Sequence, residues 1–291
     1  MRKRFCMTLD NALMTKIDGL VDGSRFKNRS QTTEYLIRLG LDTLQPERTA
    51  VILCGGLGTR LRPLTFVTPK PMLPVGGQPL LEYQINYLSK YSFDRIILAT
   101  GYLQEQIVRY FSERKDIGEK IAYSFEKEPM DTGGALKNAE HLLRGDFLTL
   151  NSDVVFDSLD LNRLLDFHRS TRGLATVVLV RVREPSRFGL VELNHENLIT
   201  DFIEKPKVVL SDSAWVNAGI YVLSPKVLKR IRAGRSVSLE KDIFPKLAKE
   251  RMVYAFKYNG YWSDVGTQSD YVKVCRDILT GTLKVPWLGL S

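Results

Sequence analysis

The chain has 291 residues, 44% hydrophobic and 26% charged, which excludes disordered, collagen-like and low-complexity classes and leaves room for about two domains. With 42 lysines and arginines against 33 aspartates and glutamates, the net charge of +9 favours anionic partners such as phosphates or nucleic acid. No apolar run approaches the roughly 18 residues that span a bilayer, and Met1-Arg2-Lys3-Arg4 opens no signal sequence, so a cytoplasmic protein without a membrane partner is expected.

In chain order, residues 3–9 alternate, with Phe5, Met7 and Leu9 on one face and Arg4, Cys6 and Thr8 on the other, the pattern of one short strand. Asp10 is placed to cap a helix in which Leu13, Ile17, Leu20 and Val21 recur at helical spacing, ending near Gly23. Asn28 and Gln31 read as a capping box that opens a second helix, with Tyr35, Leu36, Leu39 and Leu44 as its buried stripe, until Gln45-Pro46-Glu47-Arg48 stops it. One strand and two helices bury little surface, and a lone strand leaves its backbone groups unpaired, so this unit is expected to pair with a second copy of itself. Residues 2–44 resemble the ribbon-helix-helix DNA-binding modules, in which paired strands enter the major groove. The resemblance implies that Phe5, Met7 and Leu9 face a dimer core and that Arg4, Cys6 and Thr8 point toward base edges. It also implies that backbone N–H groups around Asn28, Arg29 and Ser30 hold a phosphate of double-stranded DNA. A unit that only dimerises is the alternative.

After a linker over 45–48, residues 49–291 alternate strand and helix patterns, which predicts an α/β domain with a mostly parallel sheet. Strands are expected over 50–54, 95–100, 121–125, 147–151 and 175–182, with helices over 79–90, 103–111, 134–143 and 161–169. Strands over 190–193, 198–204, 215–223 and 252–258 then extend it as a mixed sheet, and a helix over 268–279 closes the domain.

The first of these strands runs into Gly55-Gly56-Leu57-Gly58-Thr59-Arg60-Leu61-Arg62-Pro63-Leu64-Thr65. Glycines there let backbone N–H groups approach phosphates or a base without a Cβ in the way. Neither the dinucleotide fingerprint nor the Walker A pattern fits, because Leu61 stands where the third glycine belongs and no Gly-Lys-Ser/Thr follows. Lys70, between Pro69 and Pro71, is a cation on a stiff stem. Asp153, just past an apolar strand, and Asp264, in a turn between Trp262 and Gly266, are two carboxylates suited to Mg²⁺, which takes one or two carboxylates plus substrate phosphates. Cys6, Cys54 and Cys275 are scattered without a Cys-x-x-Cys, against a disulfide framework or structural zinc. The three histidines, His141, His168 and His195, are assigned no catalysis.

The glycine loop, Pro69-Lys70-Pro71-Met72-Leu73-Pro74-Val75, Asp131-Thr132-Gly133-Gly134-Ala135-Leu136, Asn151-Ser152-Asp153, Glu204-Lys205-Pro206, Asn217-Ala218-Gly219-Ile220-Tyr221 and Trp262-Ser263-Asp264-Val265-Gly266-Thr267 follow in order. Together they resemble the sugar-1-phosphate nucleotidyltransferases, with a cast nearest to mannose- or heptose-1-phosphate guanylyltransferases. The resemblance implies a Rossmann-like mixed sheet and Mg²⁺-dependent transfer from a nucleoside triphosphate to a sugar 1-phosphate, releasing pyrophosphate. Arg60 and Lys70 would then contact the triphosphate and Lys205 the sugar phosphate, while Asp153 and Asp264 would hold Mg²⁺. Gly55, Gly56, Gly58, Thr59, Thr132, Gly133 and Gly134 would line the nucleotide, and Glu204 and Asn217 the sugar hydroxyls. Asp131 departs from the glycine of many relatives and changes the acceptor pattern of the pocket, so uridylyl and thymidylyl transfer stay open. A DNA-bound regulator that senses nucleotide sugar without turnover is the alternative reading.

Overall fold

The computed structural model describes residues 6–44, 48–183, 185–204 and 213–284. The chain divides into two compact units, Met1–Glu47 and Arg48–Ser291.

In the small unit, α1 (Asn11–Gly19) starts where the Asp10 carboxylate accepts the Leu13 N–H at 2.8 Å. Helix α2 (Arg29–Leu44) starts where Asn28 Oδ1 accepts the Gln31 N–H, but Gln31 Oε1 accepts from Lys27 rather than from Asn28. The reciprocal cap therefore reaches one residue further back than the sequence suggests. Residues 6–9 carry no strand, since a ribbon strand needs a partner that this unit lacks among its described residues, and Arg4 and Phe5 lie outside them. Ile17 and Phe26 are buried, whereas Leu13, Leu20 and Tyr35, expected inside, are exposed beside Met7 and Ile37. Two short helices enclose too little volume to cover both apolar faces.

In the larger unit the elements are β1 (Arg48–Cys54), β2 (Pro74–Val75), β3 (Gln78–Pro79), α3 (Leu80–Lys90), β4 (Phe93–Thr100), α4 (Gln104–Ser112), α5 (Lys115–Gly118), β5 (Ile121–Phe125) and α6 (Asp131–Asn138). They continue as β6 (Phe147–Asn151), β7 (Val154–Phe156), α7 (Leu161–Ser170), β8 (Ala175–Val182), β9 (Gly189–Leu193), β10 (Ile199–Glu204) and β11 (Ala214–Leu223). Last come α8 (Phe244–Lys249), β12 (Val253–Lys257), β13 (Trp262–Asp264) and α9 (Gln268–Leu279). Among the described residues no helix is long and apolar enough to cross a membrane.

Nine strands form one sheet in the order β10-β9-β11-β6-β1-β4-β5, with β8 beside β11 and β12 beside β8. Strands β6, β1, β4 and β5 are parallel, and β11 is antiparallel to both β6 and β8. The mixed sheet expected beyond residue 185 is therefore woven in through β11. Strand β1 is apolar on both faces, as a central parallel strand must be. Ala50, Ile52 and Cys54 enter one core and Val51 the other. A third cluster joins Val75, Leu80, Val155, Val265, Val274 and Ile278 beneath α9.

The helix expected over 134–143 starts earlier, at Asp131, and gives way to a 3₁₀ turn at Glu140–Leu142. The reason lies at its first residue. Asp131 adopts φ 58°, a left-handed conformation that glycine takes freely and Asp tolerates, and its carboxylate accepts the Thr132 N–H at 2.7 Å.

Candidate active site

The glycine loop leaves β1 at the carboxyl ends of the parallel strands, where open α/β sheets place ligands. Gly58 has φ 60°, and a Cβ there would stand 2.9 Å from Thr65 Cγ2, so only glycine closes this turn. Its carbonyl accepts the Leu61 N–H at 2.9 Å and the Thr65 hydroxyl at 2.7 Å. Leu61 and Thr65 are thereby buried, and Arg60 is left facing outward. Lys70 opens a second turn, in which Leu73 N–H returns to the Lys70 carbonyl and Pro71 is buried.

Asp153 and Asp264 are brought together by backbone register. Strands β7 and β13 pair antiparallel with Asp264 opposite Val154, and the Val265 N–H donates to the Asp153 carbonyl at 2.8 Å. The fully buried Gln84 fixes the same segment, because its Nε2 donates to the carbonyls of Asn151 and Val154 on either side of Asp153. Lys70 Nζ pairs with Asp153 Oδ2.

Burial, with the neighbouring Asp153 carboxylate, pushes Asp264 up to about 6 against the pull of Lys70 and Arg60. Asp264 Oδ1 is buried and accepts no hydrogen bond among the described residues. An orphaned carboxylate oxygen beside a second carboxylate fits a divalent cation, which would satisfy the oxygen and hold both groups ionised. Among the described residues no cluster of three or more His, Cys, Asp or Glu offers a fuller ligand set. A two-carboxylate site leaves the other coordination positions to phosphate oxygens and water.

Two adjoining cavities meet at these residues. The first, about 280 Å³, is lined by Gly55, Gly56, Leu57, Lys70, Glu126 and Met130 among others. The second, about 320 Å³, is lined by Arg60, Arg187, Asn217, Lys241, Trp262 and Asp264 among others. Asp131, Thr132, Asn151 and Asp153 border both.

A buried network links the cavities from behind. Thr132 and Ser238 hydroxyls donate to Glu240 Oε2, and the Tyr221 hydroxyl donates to Oε1. Asn217 Nδ2 donates to the Tyr221 oxygen, while Asn217 Oδ1 accepts from Gly219. Glu240 lies in a π-helical turn at Leu239–Ile243, a rare geometry that recurs at functional sites.

Of the expected nucleotide contacts, Gly55, Gly56 and Thr132 line the first cavity, whereas Gly58 and Thr59 build the turn that presents Arg60. Gly133 and Gly134 serve packing: both N–H groups donate to the Val237 carbonyl, and a Cβ on Gly134 would fall 2.6 Å from the Arg235 carbonyl. Glu204 ends β10, and Lys205 lies outside the described residues. In the small unit Cys6, Thr8, Asn28 and Ser30 are exposed, but the Arg29 guanidinium is bound to Asp18, with Nη2 at 2.6 Å from Oδ2.

Sequence reasoning missed Glu126, Gln84, Arg187, Glu240 and Lys241. Glu126 follows a predicted strand immediately and carried a positional signal; the others are brought in by tertiary contacts across long stretches of chain.

A nucleotidyl transferase family model matches residues 49–281. The chain is 38% identical over 241 residues to a mannose-1-phosphate guanylyltransferase of Mycobacterium tuberculosis, covering 82% of this chain and 67% of that protein. It is 40% identical over 228 residues to a mannose-1-phosphate guanyltransferase of Saccharomyces cerevisiae, covering 76% of this chain and 62% of that protein. The chain thus spans about two thirds of the length of these relatives. Among solved structures, HddC from Yersinia pseudotuberculosis in complex with GMP-PN superposes with a TM-score of 0.69 at 30% identity, covering 79% of this chain and 99% of that one.

Proposed function

The chain belongs to the nucleotidyl transferase family, and from that premise we propose that it transfers a guanylyl group from GTP to a sugar 1-phosphate of the mannose or heptose type in the cytoplasm, releasing pyrophosphate. The observation that carries this reading is the Asp153–Asp264 pair at the junction of two cavities, with Lys70 on one carboxylate and Arg60 near the other. The first cavity takes the nucleoside and α-phosphate of the triphosphate, and the second, which Arg60 lines, takes the sugar phosphate and the departing pyrophosphate. A phosphate oxygen of the sugar 1-phosphate attacks the α-phosphorus in line, and the bond from that phosphorus to the bridging oxygen of the β-phosphate breaks. The nucleophile is already anionic and needs no general base, so positioning and charge neutralisation dominate.

Lys70 releases Asp153 to cover the phosphate under attack, and Arg60 covers the departing pyrophosphate. Mg²⁺ held by Asp153 and Asp264 would supply charge neutralisation at the phosphates. Asn217, held by Tyr221 and Gly219, offers its amide to sugar hydroxyls. Glu204 and Lys205 serve the sugar and its phosphate. Pyrophosphate release from a panel of triphosphates and sugar 1-phosphates tests the proposal. Release from GTP with mannose or heptose 1-phosphate is expected, and no release from any pair would leave a nucleotide-sugar sensor as the reading.

For the small unit, the exposed apolar set Met7, Leu13, Leu20, Tyr35 and Ile37 favours pairing with a second copy, and the basic residues before it favour a DNA duplex as ligand. Selection from random duplexes tests the DNA role. Enrichment of a palindromic sequence is expected, whereas binding no tighter than that of a chain lacking residues 1–47 would leave dimerisation alone.

A further inference from the structure

Asn217 and Tyr221 stand four residues apart on β11, about 13 Å in a regular strand, yet the Asn217 amide reaches the Tyr221 hydroxyl at 2.8 Å. The register of β11 against β8 slips between them, and Gly219 takes φ 71° there. This bulge brings the two side chains together. A Cβ on Gly219 would stand 2.8 Å from Asn151 Nδ2, so the bulge needs glycine.

Glu240 governs which way this contact runs. Three hydroxyls donate to its buried carboxylate: Thr132 at 2.6 Å and Ser238 at 2.8 Å to Oε2, and Tyr221 at 2.9 Å to Oε1. Each hydroxyl has thereby committed its single proton and offers only lone pairs elsewhere. Thr132 accepts the Leu239 N–H at 2.9 Å, Ser238 accepts the Lys241 N–H at 3.3 Å, and Tyr221 accepts the Asn217 amide. The first two of these donors are backbone groups, whereas Asn217 lines the second cavity with its side chain. With the Tyr221 proton on Glu240, Asn217 must turn Nδ2 toward Tyr221, and its Oδ1 then meets the Gly219 N–H at 2.9 Å. A flipped amide would set oxygen against oxygen at Tyr221 and N–H against N–H at Gly219. The amide is held in one sense, which leaves its second N–H for a ligand.

Resting on the nucleotidyl-transfer reading above, we infer that Glu240 is a positioning residue for the sugar phosphate: through the Tyr221 hydroxyl it fixes Asn217 as a hydrogen-bond donor to a sugar hydroxyl oxygen. Glu240→Gln tests the relay. The glutamine oxygen takes the side where Thr132 and Ser238 both donate, and its amide N–H faces Tyr221, which turns the Tyr221 proton toward Asn217. Tyr221→Phe removes the relaying hydroxyl and keeps the ring that packs on Phe244 at 5.0 Å. Calorimetric binding of GTP and of mannose, glucose and heptose 1-phosphates to the full chain, to each variant and to the double variant requires no turnover. For the sugar phosphate bound most tightly, Glu240→Gln should weaken binding about fivefold or more and Tyr221→Phe about threefold or more, with GTP within about twofold in both. In the Tyr221→Phe background Glu240→Gln should add no further loss, because its effect runs through that hydroxyl. Equal losses for GTP and sugar phosphate, additive losses in the double variant, unchanged sugar-phosphate binding, or a wild type that binds none of the three would overturn the assignment. Failure of the transfer reading is separately visible: relay-dependent binding of a sugar phosphate without pyrophosphate release would overturn catalysis and leave the positioning role standing.

Discussion

Asp264 has surroundings that suit a carboxylate bound to a cation better than a free one. Its buried, unpartnered Oδ1 beside a second carboxylate is costly until a cation arrives. Asp264→Asn should therefore preserve or raise the melting temperature while lowering kcat by about a hundredfold or more, the loss of ~3 kcal/mol of charge stabilisation. A parallel thermal melt and pyrophosphate-release assay check both halves. His168 is perturbed in a way that acts on stability instead. It is buried, with Nδ1 at 2.8 Å from the Thr176 hydroxyl, and burial lowers its pKa, with Asp146 opposing and Arg169 assisting. Between that lowered value and the unfolded value of about 6.5 the unfolded chain binds a proton that the folded chain refuses. Stability should thus be flat above this window and fall as the pH drops through it. Melting curves from pH 8 to 5 should show that decline in the wild-type chain and a shallower one in His168→Gln.

Among the elements, α9 ties several parts of the site together. Its N-terminus is closed by a reciprocal cap between Thr267 and Asp270, and Asp270 also holds Arg187 at 2.7 Å on the wall of the second cavity. Val274 and Ile278 on its buried face pack with Val155 and Val265, neighbours of the two aspartates. Thr267→Ala should cost about 1 kcal/mol, read by denaturant titration, and should raise the KM for the sugar phosphate more than that for the triphosphate.

The strands of the central sheet were legible because each is a short apolar run between turn residues, and Ala50 to Cys54 is the clearest. The ladder of β7 with β13 was not, since each strand has three residues and its pairing joins segments that no local pattern relates. Helix α8 and the π-helical turn before it were hidden by Pro245, which interrupts a run whose Leu239, Ile243, Phe244 and Leu247 otherwise recur at near-helical spacing. At the site, residues carried by glycine, proline and carboxylate motifs could be read. Gln84 and Glu240 could not, because a buried polar side chain looks like a surface one until its partners are known.

At the scale of the molecule, the catalytic motifs and three hydrophobic clusters all belong to the unit from Arg48 onward, which is expected to fold without the small unit. Deleting residues 1–47 should leave pyrophosphate release within about twofold of the full chain. Sedimentation should show a smaller assembly, and an unchanged one would place the contact between copies on the larger unit.

Both cavities share the wall formed by Asp131, Thr132, Asn151 and Asp153, which bears on the order of chemical events in the proposed reaction. On the proposed reading two ligands press their phosphates against this one wall and react while both are bound, with the nucleotidyl group never carried by the enzyme alone. Initial rates at varied concentrations of both substrates should give intersecting rather than parallel reciprocal plots. A triphosphate made chiral at the α-phosphorus by sulfur substitution should yield product of inverted configuration, the stereochemical trace of a single displacement.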